Sequence, residues 1–218
     1  MRKLVVSTFL TLDGVMQAPG GPEEDPTEGF THGGWSVNYW DDLMGQAMGE
    51  AMSRPFDLLL GRKTYEIFAA HWPHATDEPG ADVLNSATKY VASRTLDAAE
   101  WQNSILLEGD VAEAVARLKE EDGPEIQVHG SGNLIQTLLE HDLVDEYRLW
   151  IFPVVLGAGK RLFADGAIPS GLKLVDSKSS TTGVLIATYE RGGAVEYGSF
   201  ALEEPTEAEL QRRQRLDG

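Results

Sequence analysis

The sequence predicts an α/β fold with a mixed, mostly parallel sheet and an antiparallel C-terminal edge. Short apolar runs alternate with segments of helical periodicity through most of the chain, which is typical of parallel strands joined by helices. From Tyr147 to Tyr189 the pattern changes to strands joined by turns, with Thr182-Gly183 as a hairpin turn. No internal repeat or low-complexity linker divides the chain, which favours one main domain.

Eight strands are predicted from short apolar runs. They are Leu4–Leu10, Phe56–Leu60, Lys89–Ala92, Ser104–Leu107, Ile126–His129, Tyr147–Val154, Gly171–Lys178 and Val184–Tyr189. Four helices are predicted between them, at Asp41–Ser53, Lys63–Ala70, Val111–Glu121 and Asn133–His141. The third has the clearest signal, because Asp110 can cap its first turn with Glu113 as the reciprocal partner.

The ends of the chain are assigned no separate chemistry. We expect a main domain over residues 1–192 and an extension over residues 193–218 that holds a short polar helix. Ser7 and Thr8 interrupt the apolar N-terminal stretch and no small-residue cleavage site follows, so a buried strand is expected there rather than a signal peptide. No run approaches the length of a membrane span, and a cytoplasmic location is expected.

The charge and the lack of cysteine exclude several classes of function. Asp and Glu total 35 against 18 Lys and Arg, a formal net charge of −17. A field of this sign repels nucleic-acid backbones and anionic membranes, so neither is expected as a partner. With no Cys, disulfides, thiol nucleophiles and Cys-ligated metals are excluded, and no other metal site is predicted. An anionic ligand therefore needs local donors that overcome the overall charge.

Three strand-to-helix junctions carry residues suited to an anionic ligand. At the first, a buried strand ends at Gly61, and a helix begins with Arg62, Lys63 and Thr64. A helix N-terminus presents unpaired N–H groups and partial positive charge, which phosphate satisfies. Cations are unfavourable there unless an anion binds. The alternative is that Thr64 only caps the helix and the two cations are solvated.

The other two junctions follow later strands of the predicted sheet. One leads into Ser93 and Arg94, which by themselves fit an ordinary surface loop. The other leads into small residues that let a ligand approach the backbone: Gly130, Ser131, Gly132, Asn133 and Leu134. This run lacks the third glycine and the later acidic residue of the Rossmann pattern. Because α/β sheets bind ligands at the carboxyl ends of their strands, one phosphate-bearing ligand is predicted to touch all three junctions.

The irregular segment from Thr11 to Tyr39 is predicted to be a lid. It is rich in Gly, Pro and acids, and it leads into the aromatic residues Phe30, Trp35, Tyr39 and Trp40. A loop of this length inside a compact domain is functional or disordered. The aromatic residues either wall the ligand site or fold back onto the core.

Carboxylates beside this segment are the candidates for acid–base catalysis. They are Asp13, Asp41 and Asp42, and one of them, or a water it positions, would supply a proton. Each has a structural alternative, because Asp13-Gly14 is a typical turn and the other two can cap a helix. The Gly-x-Ser-x-Gly elbow of hydrolases does not occur in the sequence.

The ordered set of motifs resembles the dihydrofolate-reductase-like superfamily. The matching segments are Ser7–Val15, Leu60–Glu66 (Leu-Gly-Arg-Lys-Thr-Tyr-Glu), Ser93–Thr95, Gly130–Leu134 and Pro153–Phe163. The resemblance is nearest to the C-terminal reductase domain of the bifunctional riboflavin-biosynthesis deaminase/reductase. The deaminase zinc motif is missing, so a stand-alone reductase domain is expected. The resemblance implies a three-layer α/β/α fold.

The same resemblance implies NADPH as the cofactor and assigns contacts by position. The implied cofactor contacts are Val15, Gly61, Arg62, Lys63, Thr64, Ser93, Arg94 and Gly130–Leu134. Arg62 and Thr64 would hold phosphates, whereas Ser93 and Arg94 would lie beside the adenosine ribose and its 2′-phosphate. Val15 would sit in a mobile loop over the nicotinamide.

The substrate end matches the family less well. Dihydrofolate reductases carry a carboxylate on the helix before the Gly-Arg-x-Thr strand, and Asp41 or Asp42 is nearest to that place. Riboflavin-pathway reductases tend to carry Glu where this chain has His129, which puts their phosphoribosyl substrate in doubt. The predicted substrate contacts are Trp35, Tyr39, Trp40 and His129, although a buried histidine satisfied by the backbone is an equal alternative for the last.

Three hypotheses about function follow. The first is an NADPH-dependent reductase of a pyrimidine- or pterin-like molecule, of which 5-amino-6-(5-phosphoribosylamino)uracil reduction in riboflavin biosynthesis is the most specific form. The second is a dihydrofolate reductase-like or other small-molecule reductase, and the third an NADPH-binding protein without turnover. A homodimer is implied only by analogy. The sequence leaves the substrate and the proton donor open.

Overall fold

The apolar segments of the chain form one eight-stranded sheet in the computed structural model, which describes residues 1–75, 77–163 and 167–216. The strands are β1 (Leu4–Thr11), β2 (Phe56–Gly61), β3 (Lys89–Ala92), β4 (Ser104–Leu106), β5 (Glu125–Val128), β6 (Glu146–Phe152), β7 (Gly171–Ser179) and β8 (Leu185–Gly193). Their order in the sheet is β4-β3-β2-β5-β1-β6-β8-β7. The first six in this order are parallel, and β8 and β7 add the predicted antiparallel edge.

Helices cover both faces of the parallel part of the sheet. They are α1 (Asp42–Met52), α2 (Arg62–His71), α3 (Ala81–Ser86), α4 (Val111–Glu120) and α5 (Gly132–Glu140), and α6 (Glu207–Gln214) lies beyond the sheet. On one face, α4 and α5 bury Val115 and Leu138 against β1 and β5. On the other face, Met44, Tyr65 and Leu84 of α1, α2 and α3 are buried. These three layers confirm the predicted architecture.

The predicted strands and helices match the observed ones to within two residues at each end, except that β8 continues from Tyr189 to Gly193. The prediction missed α3, which begins after Gly80 in a left-handed conformation and has only six residues. Helical periodicity needs a longer window to be visible. Two short 3-10 helices, Thr27–Gly29 and Val37–Tyr39, were also missed in the segment between β1 and α1.

The C-terminal part of the chain is much more exposed than the sheet. Most residues of β7 are exposed, and so is nearly every residue from 194 to 216. The division into a domain at 1–192 and an extension at 193–218 stays a prediction. In the described ranges, no helix has both the length and the apolar character needed to cross a membrane.

Candidate functional site

The three predicted junctions meet in one open cleft of about 2110 Å³, although only β2 and β5 lead into a helix, because the chain after β3 turns into β4 instead. The cleft lies at the carboxyl ends of β3, β2 and β5, which are neighbours in the sheet. Gly61, Ser93 and Gly130 all line it, together with the residues that follow each of them. We call this part the junction half of the cleft. A ligand that spans three strand ends has a continuous surface to bind there.

The first and third junctions are held together by the hydroxyl of Ser131. It accepts a hydrogen bond from the backbone N–H of Gly61 at 2.8 Å and donates one to Thr64 Oγ1 at 2.7 Å. A Cβ added at Gly61 would lie only 2.8 Å from Ser131 Cβ. Ser131 has a φ of 67°, which few residues other than glycine adopt. This pair of hydrogen bonds, the Ser131 clasp, sets the spacing between the starts of α2 and α5.

Both α2 and α5 begin at the cleft without a side-chain cap. The other described helices of eight or more residues, α1, α4 and α6, are capped by Asp41, Asp110 and Thr206. The first-turn N–H groups of an uncapped helix need another acceptor, and the helix dipole favours an anion there. Two uncapped N-termini at one cleft are therefore suited to the phosphates of a nucleotide.

Cations stand at two of the three junctions. Arg62 and Lys63 begin α2, and Arg62 lies 3.7 Å from the carboxylate of Glu66 one turn later. Arg94 is exposed in the turn after β3, where the Ser93 hydroxyl accepts from backbone N–H groups two and three residues further on. Guanidinium groups can pair with phosphate oxygens, which the net charge of the chain would otherwise repel.

The segment between β1 and α1 forms an ordered wall of the cleft, fixed by Gln17. The Gln17 side-chain N–H₂ group donates to the backbone oxygens of Asp25 and Thr27. Its side-chain oxygen accepts from the backbone N–H of Lys160, whose ammonium pairs with Asp25. Residues 16–25 of this segment line the cleft. The predicted lid thus borders the ligand site, while its movement stays a prediction.

Of the three aromatic residues predicted to contact substrate, Trp40 lines the cleft and the other two do not. Trp35 and Tyr39 pack edge-on against Phe152, with ring centroids 5.3 and 5.9 Å away. They fold back onto the core, which was the alternative left open by the sequence. The geometry therefore gives no support to substrate contacts at Trp35 and Tyr39.

Asp13, a candidate for acid–base catalysis, lies outside the lining of the cleft. It accepts hydrogen bonds from the Thr11 hydroxyl at 2.6 Å and from the backbone N–H groups of Leu156 and Gly157 at 3.2 and 2.7 Å. The Thr11 hydroxyl, aided by these backbone groups, lowers the pKa of Asp13 to about 2. The carboxylate is ionised at neutral pH, and it joins the turn after β1 to the loop after β6.

The other two carboxylates belong to the start of α1 and do not line the cleft either. Asp41 caps the helix, accepting from the backbone N–H of Met44 at 2.9 Å and from both N–H and hydroxyl of Thr181 at 2.7 Å. The hydrogen bond from Met44, followed by those from Thr181, lowers the pKa of Asp41. Asp42 is exposed in the first turn. Proton donation by Asp13, Asp41 or Asp42 stays a prediction, and the described contacts support structural roles.

Val15, predicted to cover the nicotinamide, is wholly buried and packs with Phe30. The next two residues, Met16 and Gln17, line the cleft instead. The burial of Val15 depends on Gly159, where an added Cβ would lie 2.6 Å from Val15 Cγ1. Local motifs cannot show a contact between residues so far apart in the sequence. Because the Val15 side chain is buried, the structure does not support its contact with a cofactor.

His129 lines the cleft at the carboxyl end of β5. Its Nε2 lies 2.7 Å from Gln127 Oε1, and Gln127 Nε2 donates to Glu125 at 2.6 Å. Glu125 in turn accepts two hydrogen bonds from Arg148, at 2.6 and 2.9 Å. Alternate residues of a strand share one face of the sheet. The side chains at 125, 127 and 129 therefore form one hydrogen-bonded chain that ends at the cleft.

Burial sets the protonation state of His129, and this network sets its tautomer. Burial lowers the pKa of His129 to about 4, with Arg148 adding to the shift and Glu125 opposing it, so the ring is neutral at neutral pH. Because Gln127 gives its N–H₂ group to a carboxylate, its oxygen faces the ring, and Nε2 carries the proton. Nδ1 is then an acceptor. In the described part of the chain Nδ1 has no hydrogen-bond partner, and it is not among the fully buried unpaired atoms, of which Ser104 Oγ is the one found. Because His129 lines the cleft, we infer that Nδ1 is accessible from it.

The rest of the cleft lies between α1 and the chain from α2 to α3, and of its lining residues sequence analysis predicted only Trp40 and His129. We call it the inner half. Its floor is His129 with Ser7 and Phe9 of β1, and its walls are Trp40, Gly45, Met48, Gly49, Met52, Ile67, Phe68, His71, Trp72, Glu78–Gly80, Val83 and Leu84. The α1 residues recur at spacings of three and four, so they share one helix face. Met44 and Ala47, on the neighbouring side of α1, are buried in a cluster with Trp150 and Phe152 of β6 and so fix the orientation of the helix.

No metal centre accompanies this cleft in the described part of the chain. Within residues 1–75, 77–163 and 167–216, no three His, Asp or Glu side chains come together as a metal-binding group. His71, which lines the inner half, pairs instead with Glu78 at 3.2 Å.

The fold and the order of the junctions match a known family. The model of the RibD C-terminal domain matches residues 2–186. The chain belongs to the RibD C-terminal domain family. Two proteins of Bacillus subtilis strain 168 align with most of it. Uncharacterized protein YyaP is 31% identical over 201 residues, which cover 88% of this chain and 96% of that protein. Uncharacterized protein YwjB is 26% identical over 183 residues, with 81% and 91% covered.

Solved structures place this RibD C-terminal domain among dihydrofolate-reductase-like folds. A putative riboflavin biosynthesis protein from Shewanella sp. PV-4 has a TM-score of 0.58 at 21% identity, covering 87% of this chain and 98% of its own. A pyrimidine reductase-like protein from Corynebacterium diphtheriae has a TM-score of 0.57 at 12% identity, covering 87% and 92%. Dihydrofolate reductase from Enterococcus faecalis, complexed with NADP(H), has a TM-score of 0.53 at 17% identity, covering 87% and 96%. The fold implied by the motifs is confirmed.

The close contact in the Ser131 clasp gives a test of how the junctions are spaced. We expect Gly61→Ala to lower the free energy of unfolding by about 1–3 kcal/mol, because the new Cβ overlaps Ser131 Cβ. Chemical denaturation measures this loss. Ser131→Gly removes the overlapping atom, so the loss in the double variant should be smaller than the sum of the two single losses. Simple additivity would contradict the assigned contact.

The buried state of His129 predicts a pH effect on stability. An ordinary histidine protonates near pH 6.5 when unfolded, whereas folded His129 protonates near pH 4, so its contribution is complete above pH 6.5 and is lost as pH falls towards 4. Lowering the pH from 7 to 5 should cost about 2 kcal/mol through this residue. Denaturation of His129→Gln at both pH values should lack this part of the loss. His141→Gln, at an exposed histidine, is the matched control, and an unchanged loss in His129→Gln would refute the assignment.

Proposed function

We propose that the chain is an NADPH-dependent reductase that acts on a pyrimidine- or pterin-like small molecule. The observation that carries the proposal is the convergence of two uncapped helix N-termini and two arginine-bearing junctions on one cleft. Membership of the RibD C-terminal domain family supports a reductase. The similar E. faecalis dihydrofolate reductase was solved with NADP(H), which supports a nicotinamide cofactor.

The junction half fits the phosphates of a dinucleotide. We assign the pyrophosphate to the first turns of α2 and α5, which line the cleft and have no side-chain cap for their N–H groups. Thr64 accepts from the Ser131 hydroxyl, so its own O–H is free to donate to a phosphate oxygen. Gly130 lets the backbone come close, since a Cβ there would lie 3.2 Å from Thr64 Oγ1. Ser131 is a positioning residue, because its hydroxyl is already used within the clasp.

The 2′-phosphate that distinguishes NADPH from NADH is assigned to the turn after β3. Arg94 is exposed there, and the Ser93 hydroxyl stabilises the turn that carries it. Arginine is the side chain best suited to donate hydrogen bonds to two phosphate oxygens at once, because its guanidinium group is planar and carries several N–H donors. Arg62, at the start of α2, is assigned to phosphates that both cofactors share.

The nicotinamide end is assigned to the boundary between the junction half and the inner half. Bound there, the cofactor would supply a hydride to the carbon of a substrate C=N bond, and a proton from solvent or an acid would be added to the nitrogen. The wall from Met16 to Asp25 and the ring of Trp40 line the cleft and would limit the access of water to this boundary when a substrate is bound. Excluding water protects the hydride and strengthens the electrostatic contacts around it.

Thermal stabilisation by the two cofactors tests the assignment. A ligand at 100 times its Kd that binds only the folded protein adds about 2.7 kcal/mol. NADPH should stabilise the protein more than NADH. Arg94→Ala should shrink the NADPH shift and spare the NADH shift, whereas Arg62→Ala should shrink both, because its phosphates are common to both cofactors. Arg117→Ala, which changes an arginine on α4 outside the cleft lining, is the control.

The outcomes separate the hypotheses. Equal stabilisation by NADPH and NADH would overturn the 2′-phosphate assignment. No stabilisation by either cofactor would overturn the reductase proposal. Binding of NADPH without its oxidation in the presence of pyrimidine, pterin or simple imine substrates would favour a cofactor-binding protein without turnover.

We also propose a homodimer that uses the edge of the sheet. The edge strand β7 supports it, because Leu174 and Val175 are each 52% exposed there. Sedimentation velocity should give about twice the chain mass of 23.8 kDa. Leu174→Lys should shift the protein towards the monomer, with Lys173→Ala as the control on the same strand. A wild-type monomer at micromolar concentration would contradict the proposal.

A further inference from the structure

We propose that the inner half of the cleft selects a flat, uncharged and unphosphorylated substrate, and that His129 accepts a hydrogen bond from one of its N–H or O–H groups. The inference rests on the proposed reductase function and narrows its substrate class. A preference for unphosphorylated substrates would distinguish this chain from reductases of phosphoribosyl compounds. The residues that support this inference lie outside the junctions.

Positive charge is confined to the junction half and the loop wall. Among the described residues that line the cleft, the Lys and Arg side chains are Arg62, Lys63, Arg94 and Lys160. The first three stand at the junctions, and Lys160 is already paired with Asp25. In the inner half, His71 is paired with Glu78. A substrate phosphate there would meet no free cation in a chain of net charge −17, and an unpaired charge in a partly buried site is strongly unfavourable.

The walls of the inner half are apolar and largely aromatic. They include Phe9, Trp40, Met48, Met52, Phe68 and Trp72. Aromatic faces bind flat rings by stacking and edge contacts, and methionine side chains adapt to their outline. The carboxylate that a basic pterin would need is missing from the face of α1 that lines the cleft, since Asp41 and Asp42 lie outside the lining. Glu78, a carboxylate in the wall of the inner half, is paired with His71. The walls therefore fit a neutral ring system.

Two glycines in the interior of α1 leave space against the helix backbone. A Cβ added at Gly45 or Gly49 would meet nothing within 4 Å, and neither residue has a positive φ. Helix-interior glycine is less stable than alanine, and here neither packing nor backbone conformation calls for it. Both residues line the inner half, so the unused space lies where a substrate would bind. A flat molecule can then lie directly against the α1 backbone.

The floor of the inner half supplies the polar contacts. Val6 pairs with Val128 in the β1–β5 register, so Ser7 and His129, the next residues, lie side by side on one face. His129 presents Nδ1 as an acceptor, held in place by the hydrogen bond from Nε2 to Gln127. A neutral ring nitrogen suits an N–H or O–H donor and gives an anion no charge to pair with. Ser7 can accept or donate beside it.

Probes that differ in charge test the substrate class. The full chain is saturated with NADP⁺, and binding is measured by melting temperature and calorimetry. One pair is 5-amino-6-ribosylaminouracil and its 5′-phosphate; the other is 7,8-dihydrobiopterin and 7,8-dihydrofolate. We expect at least one uncharged probe to bind, and its anionic partner to bind about tenfold more weakly or worse. Equal or tighter binding of the anionic partner, or no binding of either uncharged probe, would overturn the proposal.

Substitution of the two α1 glycines is a second test, because it should raise the stability of the protein and weaken binding of the uncharged probe. Gly45→Ala/Gly49→Ala should raise the melting temperature of the free protein by about 2–4 °C or more, because alanine favours the helix. It should weaken the uncharged probe about tenfold by filling its space, and leave NADP⁺ affinity unchanged. Gln46→Ala, an exposed position on α1 outside the lining, should leave both affinities unchanged. Unchanged probe affinity in the double variant would refute the role of the glycines.

The acceptor role of His129 is tested by two substitutions. His129→Phe keeps a ring but removes Nδ1, so it should weaken the uncharged probe about tenfold. His129→Gln retains a side-chain oxygen that can accept, and should recover part of the loss. Equal binding by both variants and the wild type would refute the contact. Stabilisation by NADP⁺, measured first on each protein, keeps these outcomes apart from a failure of the reductase proposal.

Discussion

The contact between Gly61, Thr64 and Ser131 is the constraint on which the rest of the cleft depends. Two parallel strands, β2 and β5, lie side by side, and a helix follows β2 directly and β5 after three intervening residues. The helices can start this close together only because Gly61 has no side chain and Ser131 bonds across the gap. Both helices begin at the cleft without a side-chain cap. The proposed phosphate contacts would place an anion here in a strongly acidic chain.

A second polar system stiffens the floor of the cleft from below. The chain of hydrogen bonds from His129 through Gln127 and Glu125 continues at Arg148, which also binds Glu146 at 2.7 Å. Charges that are paired and hydrogen-bonded can stay in a partly buried sheet, whereas a lone charge there would be costly. The network holds one ring nitrogen of His129 and leaves the other for the cleft. Rigidity at this point suits a site that must orient a substrate against a cofactor.

The two halves of the cleft divide the chemistry between them. The junction half is built from backbone N–H groups, glycines and cations, which suit the proposed cofactor. The inner half is lined by His129 and by side chains of β1, α1, α2 and α3. One fold can host many reactions in this way. The absence of a carboxylate on the cleft face of α1 shows why the fold family alone does not fix the substrate.

Local sequence patterns determined the strands, the longer helices and the order of the three junctions, because periodicity, glycine and capping act between near neighbours in the chain. Tertiary contacts decided which side chains reach the cleft. Trp35 and Tyr39 turn to Phe152, while Trp40 faces the ligand site. The lack of a side chain at Gly159 leaves room for the buried side chain of Val15, and the next residues, Met16 and Gln17, line the cleft. The placement of these side chains depends on contacts with groups more than a hundred residues away in the sequence. The inner half of the cleft can therefore be recognised only in the folded chain.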